Sequence, residues 1–209
     1  KKDIKKLGKD NKINPNFIFK ILKELINDDY VGIADGGDIL SFARVGLHSK
    51  YYLDSGVFGC LGVGVPYAIA ASKVFKEKKI ICVTGDGSFG FNAMEIDTAV
   101  KNKSNICVII SNNGGWNIEK HDQRLNYGNR VYATSLPHCD YAALAKSLRS
   151  AGGSAGIAEH EGIVEEERAH ATEFGGARLR SLAISKLIPK AGTEFLAKWL
   201  VAKSGSYGR

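Results

Sequence analysis

Two short polar stretches hold the residues that could do chemistry. The first is the glycine-rich turn Gly85-Asp86-Gly87-Ser88-Phe89-Gly90, and the second is Ser111-Asn112-Asn113-Gly114-Gly115. A glycine-rich turn that opens a helix presents backbone N–H groups and the positive end of the helix dipole, which favours a phosphate group. A carboxylate in the same turn would repel that phosphate unless a cation lay between them. Because Mg2+ commonly bridges carboxylates to a diphosphate, the pattern predicts a metal–diphosphate site.

The elements around these stretches should bring them together. Residues 80–84 and 106–111 are short β-branched runs, typical of strands buried on both faces. Residues 91–100 contain no Pro or Gly and are predicted to form one helix between them. Parallel strands of such a βαβ unit end at the same sheet edge, where open α/β sheets bind ligands. We therefore expect Asp86, on a surface turn, and Asn113 to be neighbours at that edge.

Two other interpretations compete with the metal site. The spacing of Gly85, Gly87 and Gly90 also fits the dinucleotide-binding fingerprint, which calls for an acidic residue at the end of the second strand. That strand ends in Ser-Asn-Asn instead, and Asp86 would face a pyrophosphate without a cation. The plainer alternative is a glycine-rich turn with an Asp helix cap and an unrelated Asn-Gly turn, each common for local reasons. The occurrence of both stretches at this spacing favours the metal site.

The motif pair carries a family resemblance. Gly-Asp-Gly followed after this interval by Asn-Asn resembles the thiamine diphosphate signature. Residues 29–148 resemble the cofactor-binding, diphosphate-side domain of the acetolactate synthase-like superfamily. Residues 54–66 and 85–91 are most similar to its 2-hydroxyacyl-CoA lyase, oxalyl-CoA decarboxylase and acetolactate synthase-like branches. The resemblance implies an α/β fold with an open, mostly parallel sheet, helices on both faces, and thiamine diphosphate and Mg2+ as cofactors.

The resemblance also implies the site residues. Mg2+ would be held by Asp86, Asn113 and the backbone carbonyl of Gly115. The carbonyl of Gly59 would accept a hydrogen bond from the 4′-amino group of the cofactor, and Leu61 would be the wedge that folds it into a V shape. Without the resemblance, Leu61 is interpreted as a core leucine. The full set of implied cofactor contacts is Gly36, Gly37, Gly59, Leu61, Gly85, Asp86, Gly87, Ser88, Asn113 and Gly115.

A polar segment, residues 116–124, follows the second motif. On composition alone it is predicted to be a solvated loop. The resemblance implies instead that it covers the cofactor and borders the substrate pocket, which makes Trp116 and His121 substrate-side candidates. Further helices are predicted over residues 17–26, 67–73 and 140–148, and a strand over residues 30–34.

Composition limits the class of protein. The chain has 209 residues, is 44% hydrophobic and contains no apolar run of membrane-spanning length. Its formal net charge of +7 owes much to a lysine run without aromatics, so residues 1–14 are predicted to be a basic leader or linker, not a nucleic-acid-binding segment. The four cysteines form no CxxC motif and suit buried thiols of a cytoplasmic protein.

The two ends of the chain prompt further expectations. The first residue is Lys1 and the single methionine is Met94, so we expect a piece of a longer protein. The thiamine diphosphate-binding domain is predicted over residues 15–148. A shift towards Ala, Gly and Glu marks residues 149–209 as an atypical tail that leaves the sheet incomplete at its C-terminus. A divergent ending, a fusion and a shifted reading frame all remain open as its origin.

The resemblance implies an enzyme that makes or cleaves carbon–carbon bonds next to a carbonyl group. Its substrate would be a 2-keto acid or a 2-hydroxyacyl-CoA, and the full-length protein would be a homodimer or tetramer. A glutamate from a separate pyrimidine-side domain, in the same or a partner subunit, would activate the cofactor. No segment here resembles that domain, so the catalytic residues are unassigned and the chain alone is expected to be inactive. The alternative is a non-catalytic cofactor-binding remnant or regulatory fragment.

Overall fold

A computed structural model of the protein describes residues 14–26 and 29–148. The predicted leader, apart from Asn14, and the predicted tail lie outside these residues. The described helices are α1 (Pro15–Leu25), α2 (Asp38–Gly46), α3 (Gly64–Val74), α4 (Asp86–Phe91), α5 (Glu95–Lys101), α6 (Asn117–Asn126) and α7 (Tyr141–Ser147). The described strands are β1 (Tyr30–Asp35), β2 (Tyr51–Leu53), β3 (Lys79–Gly85) and β4 (Ile106–Ser111).

The four strands form one parallel sheet in the order β2-β1-β3-β4. Ile33 of β1 lies opposite Cys82 of β3, and Val83 of β3 lies opposite Ile109 of β4. The chain leaves β1 towards β2 on one side and leaves β3 towards β4 on the other. The carboxyl ends of β1 and β3 therefore border a topological switch point, which is where ligands bind in open α/β sheets.

Helices cover both faces of the sheet, which confirms the predicted α/β architecture. Side chains of β1 alternate between the faces, so Val31 and Ile33 lie on one side and Tyr30 and Ala34 on the other. The second side packs against α1 and α2 through Phe19, Leu22, Ile39 and Leu40, among others. The first packs against α3, α4 and α5 through Val65, Ala68, Phe89 and Ile96, among others. Burial on both faces explains why these strands are continuous apolar runs.

The prediction of one helix over residues 91–100 is wrong, because the chain breaks at residues 92–94 between two helices. Helix α4 ends at Phe91 and α5 begins at Glu95. At the break, the N–H of Asn92 bonds to the carbonyl of Phe89 at 3.2 Å, three residues back, which tightens the last turn. The side-chain amide of Asn92 donates to the carbonyl of Gly62 at 2.8 Å. A contact with a distant segment thus accompanies the break.

The segment after β4 also differs from the solvated loop predicted from its composition. Residues 117–126 form helix α6. Most of this helix is exposed, which fits its mainly polar side chains. Its first turn packs on the start of α2, where a Cβ atom on Gly37 would lie 3.3 Å from Ile118. The helix therefore lies beside the carboxyl edge of the sheet. Among the described helices, none has the length and apolar character needed to cross a membrane.

Candidate functional site

Asp86 lies at the centre of the candidate site, immediately after β3. Its Oδ1 accepts the N–H of Gly87 at 2.9 Å, and its Oδ2 accepts the N–H of Gly114 at 2.7 Å. The residue is 2% exposed, so the expected surface turn is wrong and the carboxylate is buried. Burial raises the pKa of Asp86 above its ordinary value, and the backbone hydrogen bonds oppose that rise.

The loop after β4 meets Asp86, as the βαβ topology predicts. The N–H of Gly114 reaches the carboxylate of Asp86, and Asn113 Oδ1 accepts the N–H of Gly115 at 3.2 Å. An isolated antiparallel bridge pairs Gly115 with Ser135. Its two hydrogen bonds are made by the neighbouring residues, so neither uses the carbonyl of Gly115. That carbonyl oxygen and the amide oxygen of Asn113 are groups that can coordinate a metal ion, and they lie close to the buried carboxylate.

The loop after β1 lies against the glycine-rich turn. Gly36 has a positive φ of 120°, and a Cβ atom there would lie 3.3 Å from both the N atom of Gly85 and the Oγ atom of Ser88. Ser88 itself is buried. The structure therefore brings the predicted residues Gly36, Gly85 and Ser88 together across the switch point. Gly37, one residue further, contacts α6 instead through Ile118.

Trp116 packs directly on the glycine-rich turn. A Cβ atom on Gly87 would come within 2.4 Å of the Trp116 ring, so the indole occupies the space that a side chain at Gly87 would need. The ring also meets Phe91 edge-on, with centroids 6.0 Å apart. This substrate-side candidate therefore lies at the site. His121, the other one, is half-buried on α6 and lowers the pKa of Asp38 by its charge, although burial has the larger, opposite effect.

The segment predicted to meet the cofactor ring is more exposed to solvent than Asp86. Gly59 has a φ of 60° and is exposed, and a Cβ atom on it would meet nothing within 4 Å. Leu61 is half-buried and belongs to neither core cluster, which contradicts the core-leucine alternative. The structure does not bring Gly59 into contact with the metal-side residues, so its predicted role and that of Leu61 stay predictions.

Two residues that were not predicted from the sequence, Tyr141 and Asn112, make hydrogen bonds next to the site. The hydroxyl of Tyr141 on α7 donates to the backbone carbonyl of Asp86 at 3.3 Å. Burial raises the pKa of Tyr141 to about 12, so the hydroxyl keeps its proton and remains a donor. Asn112 is buried, with its amide donating to the carbonyl of Cys139 and its Oδ1 meeting the ring of His138. The Asn112-Asn113 pair in the sequence marked this place, although a role was predicted only for Asn113.

The donor set fits a hard cation. A buried carboxylate needs partners, and no Lys or Arg forms an ion pair with Asp86 in the part of the chain that the structure describes. Besides the N–H groups of Gly87 and Gly114, those of Gly115 and of Asp86 itself lower the pKa of this carboxyl group, so its partners are all backbone groups. No group of three or more His, Cys, Asp or Glu that could hold a metal occurs among the described residues. One carboxylate with neutral oxygens suits Mg2+, which usually keeps waters and phosphate oxygens as its other ligands.

Comparison with known proteins gives a consistent result. A family model described as "Thiamine pyrophosphate enzyme, C-terminal TPP binding domain" matches residues 37–176. The acetolactate synthase large subunit IlvG of Mycobacterium tuberculosis is 36% identical over 143 residues, covering 67% of this chain and 26% of that protein. The 2-hydroxyacyl-CoA lyase 2 of Mus musculus is 32% identical over 143 residues, covering 67% of this chain and 22% of the relative. The chain thus spans about a quarter of the length of these relatives.

A solved structure shares the fold. The thiamine diphosphate-dependent 4-hydroxybenzoylformate decarboxylase of Rhodococcus jostii RHA1 superposes with a TM-score of 0.63. The superposition covers 70% of this chain and 28% of that one, at 19% sequence identity. At this level of identity the likeness concerns the parallel sheet and its flanking helices alone.

Proposed function

Because the chain belongs to the thiamine pyrophosphate enzyme family and carries its C-terminal cofactor-binding domain, we propose that it binds thiamine diphosphate through Mg2+. The ion would be held by the carboxylate of Asp86, the amide oxygen of Asn113 and the backbone carbonyl of Gly115. The observation that carries this proposal is the contact between Asp86 and the loop after β4, which brings a carboxylate, a side-chain amide and a backbone carbonyl to the carboxyl edge of the sheet.

The chain's own residues would bind and orient the cofactor. Gly36, Gly85 and Ser88 line the place where the loops after β1 and β3 meet, and we assign the diphosphate to it. Trp116, packed on Gly87, would shield that end from water. When bound, thiamine diphosphate supplies the chemistry for making or cleaving a carbon–carbon bond next to a carbonyl group.

We further propose that the whole protein is an acetolactate synthase-like enzyme. The relatives are acetolactate synthases and 2-hydroxyacyl-CoA lyases by name, which supports a 2-keto acid or a 2-hydroxyacyl-CoA as the substrate. A pyrimidine-side domain, in the same or a partner subunit of a dimer or tetramer, would supply the activating carboxylate. Relatives about three times as long as this chain leave room for such a domain.

Calorimetric titration of Asp86→Asn with thiamine diphosphate and Mg2+ tests the cofactor site. Asparagine keeps the shape of the buried side chain and one acceptor oxygen, whereas alanine would orphan the N–H groups of both Gly87 and Gly114. Loss of a charged ligand should weaken binding about ten- to a hundredfold.

Asp97→Asn is the matched control, since that carboxylate pairs with Lys101 on the outside of α5. It should bind the cofactor as the wild type does. Thermal unfolding of each variant establishes that the fold is retained. Equal affinity of the Asp86→Asn variant and the wild type would exclude Asp86 as a metal ligand.

A further inference from the structure

The loop of residues 59–63, called here the 59–63 loop, is held at a single residue from two sides. The N–H of Gly62 donates to Asp35 Oδ1 at 3.3 Å, and the carbonyl of Gly62 accepts the side-chain amide of Asn92 at 2.8 Å. Asp35 is the last residue of β1, and Asn92 follows the last residue of α4. Two elements far apart in sequence therefore hold the same residue, and these two hydrogen bonds to Gly62 are called here the clamp.

Asp35 also caps helix α3 from a distance. Its Oδ2 accepts the N–H of Gly64, the first residue of α3, at 2.9 Å. Val63, at the N-cap position, has no side-chain oxygen to do so. A carboxylate at a helix N-terminus is favoured by the free N–H groups and by the helix dipole. Asp35 is 1% exposed, so this interaction takes place away from water.

Two glycines make the clamp sterically possible. A Cβ atom on Gly64 would lie 2.9 Å from the Cβ atom of Asp35, which is closer than real side-chain contacts allow. Gly62 has a φ of 87°, and a Cβ atom there would lie 2.7 Å from the Cβ atom of Phe91. Glycine tolerates this backbone conformation and this close approach, whereas other residues would displace the loop from Asp35 and α4.

The rest of the 59–63 loop has little else to fix it. Gly59 and Cys60 are exposed, Leu61 is half-buried, and a Cβ atom on Gly59 would have no neighbour within 4 Å. Gly62 is thus the fixed point nearest to Leu61. A loop with few packed contacts takes its position from its anchors.

Helix α4 joins this anchor to the metal site. It begins at Asp86 and is followed by Asn92, so its six residues, about 9 Å of helix, connect the proposed metal ligand to the clamp. A rigid helix of this length would hold the metal site and the clamp at a fixed distance, and with them the two ends of an extended ligand.

We propose that Asp35 and Asn92 are positioning residues for thiamine diphosphate, which fix Gly62 so that Gly59 and Leu61 meet the ring end of the cofactor. The inference rests on the proposed function and extends it to two residues outside the metal site. Neither residue is among those to which the diphosphate is assigned. Their effect is therefore confined to the part of the ligand beyond the phosphates.

Two probes separate this role from a general structural one. The full 209-residue chain is titrated with thiamine diphosphate and, separately, with inorganic pyrophosphate, each in the presence of Mg2+. Asn92→Ala removes one arm of the clamp at an exposed position, so the fold should be retained. It should weaken thiamine diphosphate binding about three- to tenfold, the effect of one lost hydrogen bond, and leave pyrophosphate binding unchanged.

Asn102→Ala is the matched control. Asn102 is also an exposed asparagine that ends a helix, α5, and its amide donates to the carbonyl of Thr98 at 2.9 Å. This variant should bind both ligands as the wild type does. Asp35→Asn keeps only one acceptor oxygen for the N–H groups of Gly62 and Gly64, so it weakens the other arm and should reproduce the split between the two ligands. If it fails to fold, Asn92→Ala still decides the question.

The remaining outcomes are distinct. Equal loss of both ligands in Asn92→Ala would mean that Asn92 merely supports the Asp86 turn, and unchanged binding of both would mean that the clamp has no role; either result overturns the inference. A wild-type chain that binds thiamine diphosphate no more tightly than pyrophosphate also overturns it, while the metal site stands. A wild-type chain that binds neither ligand contradicts the proposed function itself, and the inference falls with it.

Discussion

At the scale of single residues, three aspartates concentrate negative charge at the carboxyl edge of the sheet. Asp35 and Asp86 are buried and Asp38 is half-buried, and burial is the main reason that the pKa of each is raised. Backbone N–H groups serve the first two, and His121 opposes the rise at Asp38. Carboxylates held this way are costly to ionise, and a bound cation at the edge would offset that cost.

Asp38 provides a test of this electrostatic picture. Its folded-state pKa lies above the ordinary value of 3.8. It therefore contributes stability below that value, and the contribution is lost as pH rises through the raised pKa. We predict that Asp38→Asn gains stability relative to the wild type as pH rises from about 4 to 7, by no more than about 1 kcal/mol because the carboxylate is partly solvated.

Urea unfolding of both chains over this pH range, in the presence of a chelator, measures the difference. The difference in the free energy of unfolding between variant and wild type should grow with pH and level off above the raised pKa. A difference that stays constant, or that shrinks as pH rises, would contradict the assigned shift.

The positions of individual residues were predictable where chain topology alone determines them. Asp86 and Asn113 each follow a buried strand, so the parallel arrangement was enough to predict that their loops meet. Asp35 and Asn92 act on a glycine about 30 residues away through hydrogen bonds that depend on tertiary structure. No local pattern marks such a contact, and the sequence analysis missed both residues.

At the scale of secondary structure, the three long strands were predictable because burial on both faces demands continuous apolar runs. Strand β2 was not, because it has only three residues, Tyr51–Leu53, and lies at the edge of the sheet with side chains that are half-buried or exposed. Helix α6 was mistaken for a loop since it lacks an apolar stripe. The helix packs on Gly37, and because glycine has no side chain, no apolar residue in the sequence marks this contact.

Contact between α4 and α6 through Trp116 leads to a second prediction. The chain has two tryptophans, and in a Trp199→Phe background Trp116 alone reports. Gly87→Ala would place a Cβ atom 2.4 Å from the indole, so the ring must move outward. We expect a red-shifted fluorescence emission and a loss of about 1–3 kcal/mol in the free energy of unfolding, as is typical of overpacking.

Gly90→Ala is the control for this substitution within the same helix. A Cβ atom on Gly90 would meet nothing within 4 Å, so there is no ring to displace. Its emission should match the background protein, and its stability should be unchanged or higher by up to about 1 kcal/mol. If Gly87→Ala left the emission as it is in Gly90→Ala, the packing of Trp116 on the turn would be disproved.

At the scale of the whole molecule, the described residues expose apolar side chains beside the proposed cofactor site. Large apolar side chains are exposed beside the 59–63 loop and at the end of α4, with Val57 98%, Phe58 87% and Phe91 62% exposed. Several large exposed apolar side chains next to a proposed ligand site favour an interface there. Relatives about three times as long as this chain have the length to cover it. We therefore propose that the pyrimidine-side domain covers this surface.

The final prediction is that the 209-residue chain alone does not turn over substrate. General acid–base assistance is worth about a hundred- to ten-thousandfold, so lack of the activating carboxylate should lower turnover by that factor even when the cofactor is bound. Among the described residues, several acids already have other roles. Asp86 is assigned to the metal, Asp35 holds Gly62 and Gly64, and Glu95 lies at the start of α5.

The assay follows pyruvate consumption and 2-hydroxyacyl-CoA cleavage at saturating thiamine diphosphate and Mg2+, with and without a pyrimidine-side domain from a related enzyme. Turnover should appear only in the mixture. When the chain carries Asp86→Asn, the mixture should need about ten- to a hundredfold more thiamine diphosphate for half-maximal turnover, because the added domain brings a carboxylate but no metal site. An unchanged cofactor requirement with Asp86→Asn would place the cofactor on the added domain. Robust turnover by the chain alone would mean that it supplies its own activating acid, and Asp38, half-buried at the carboxyl edge beside α6, would then be the first residue to replace.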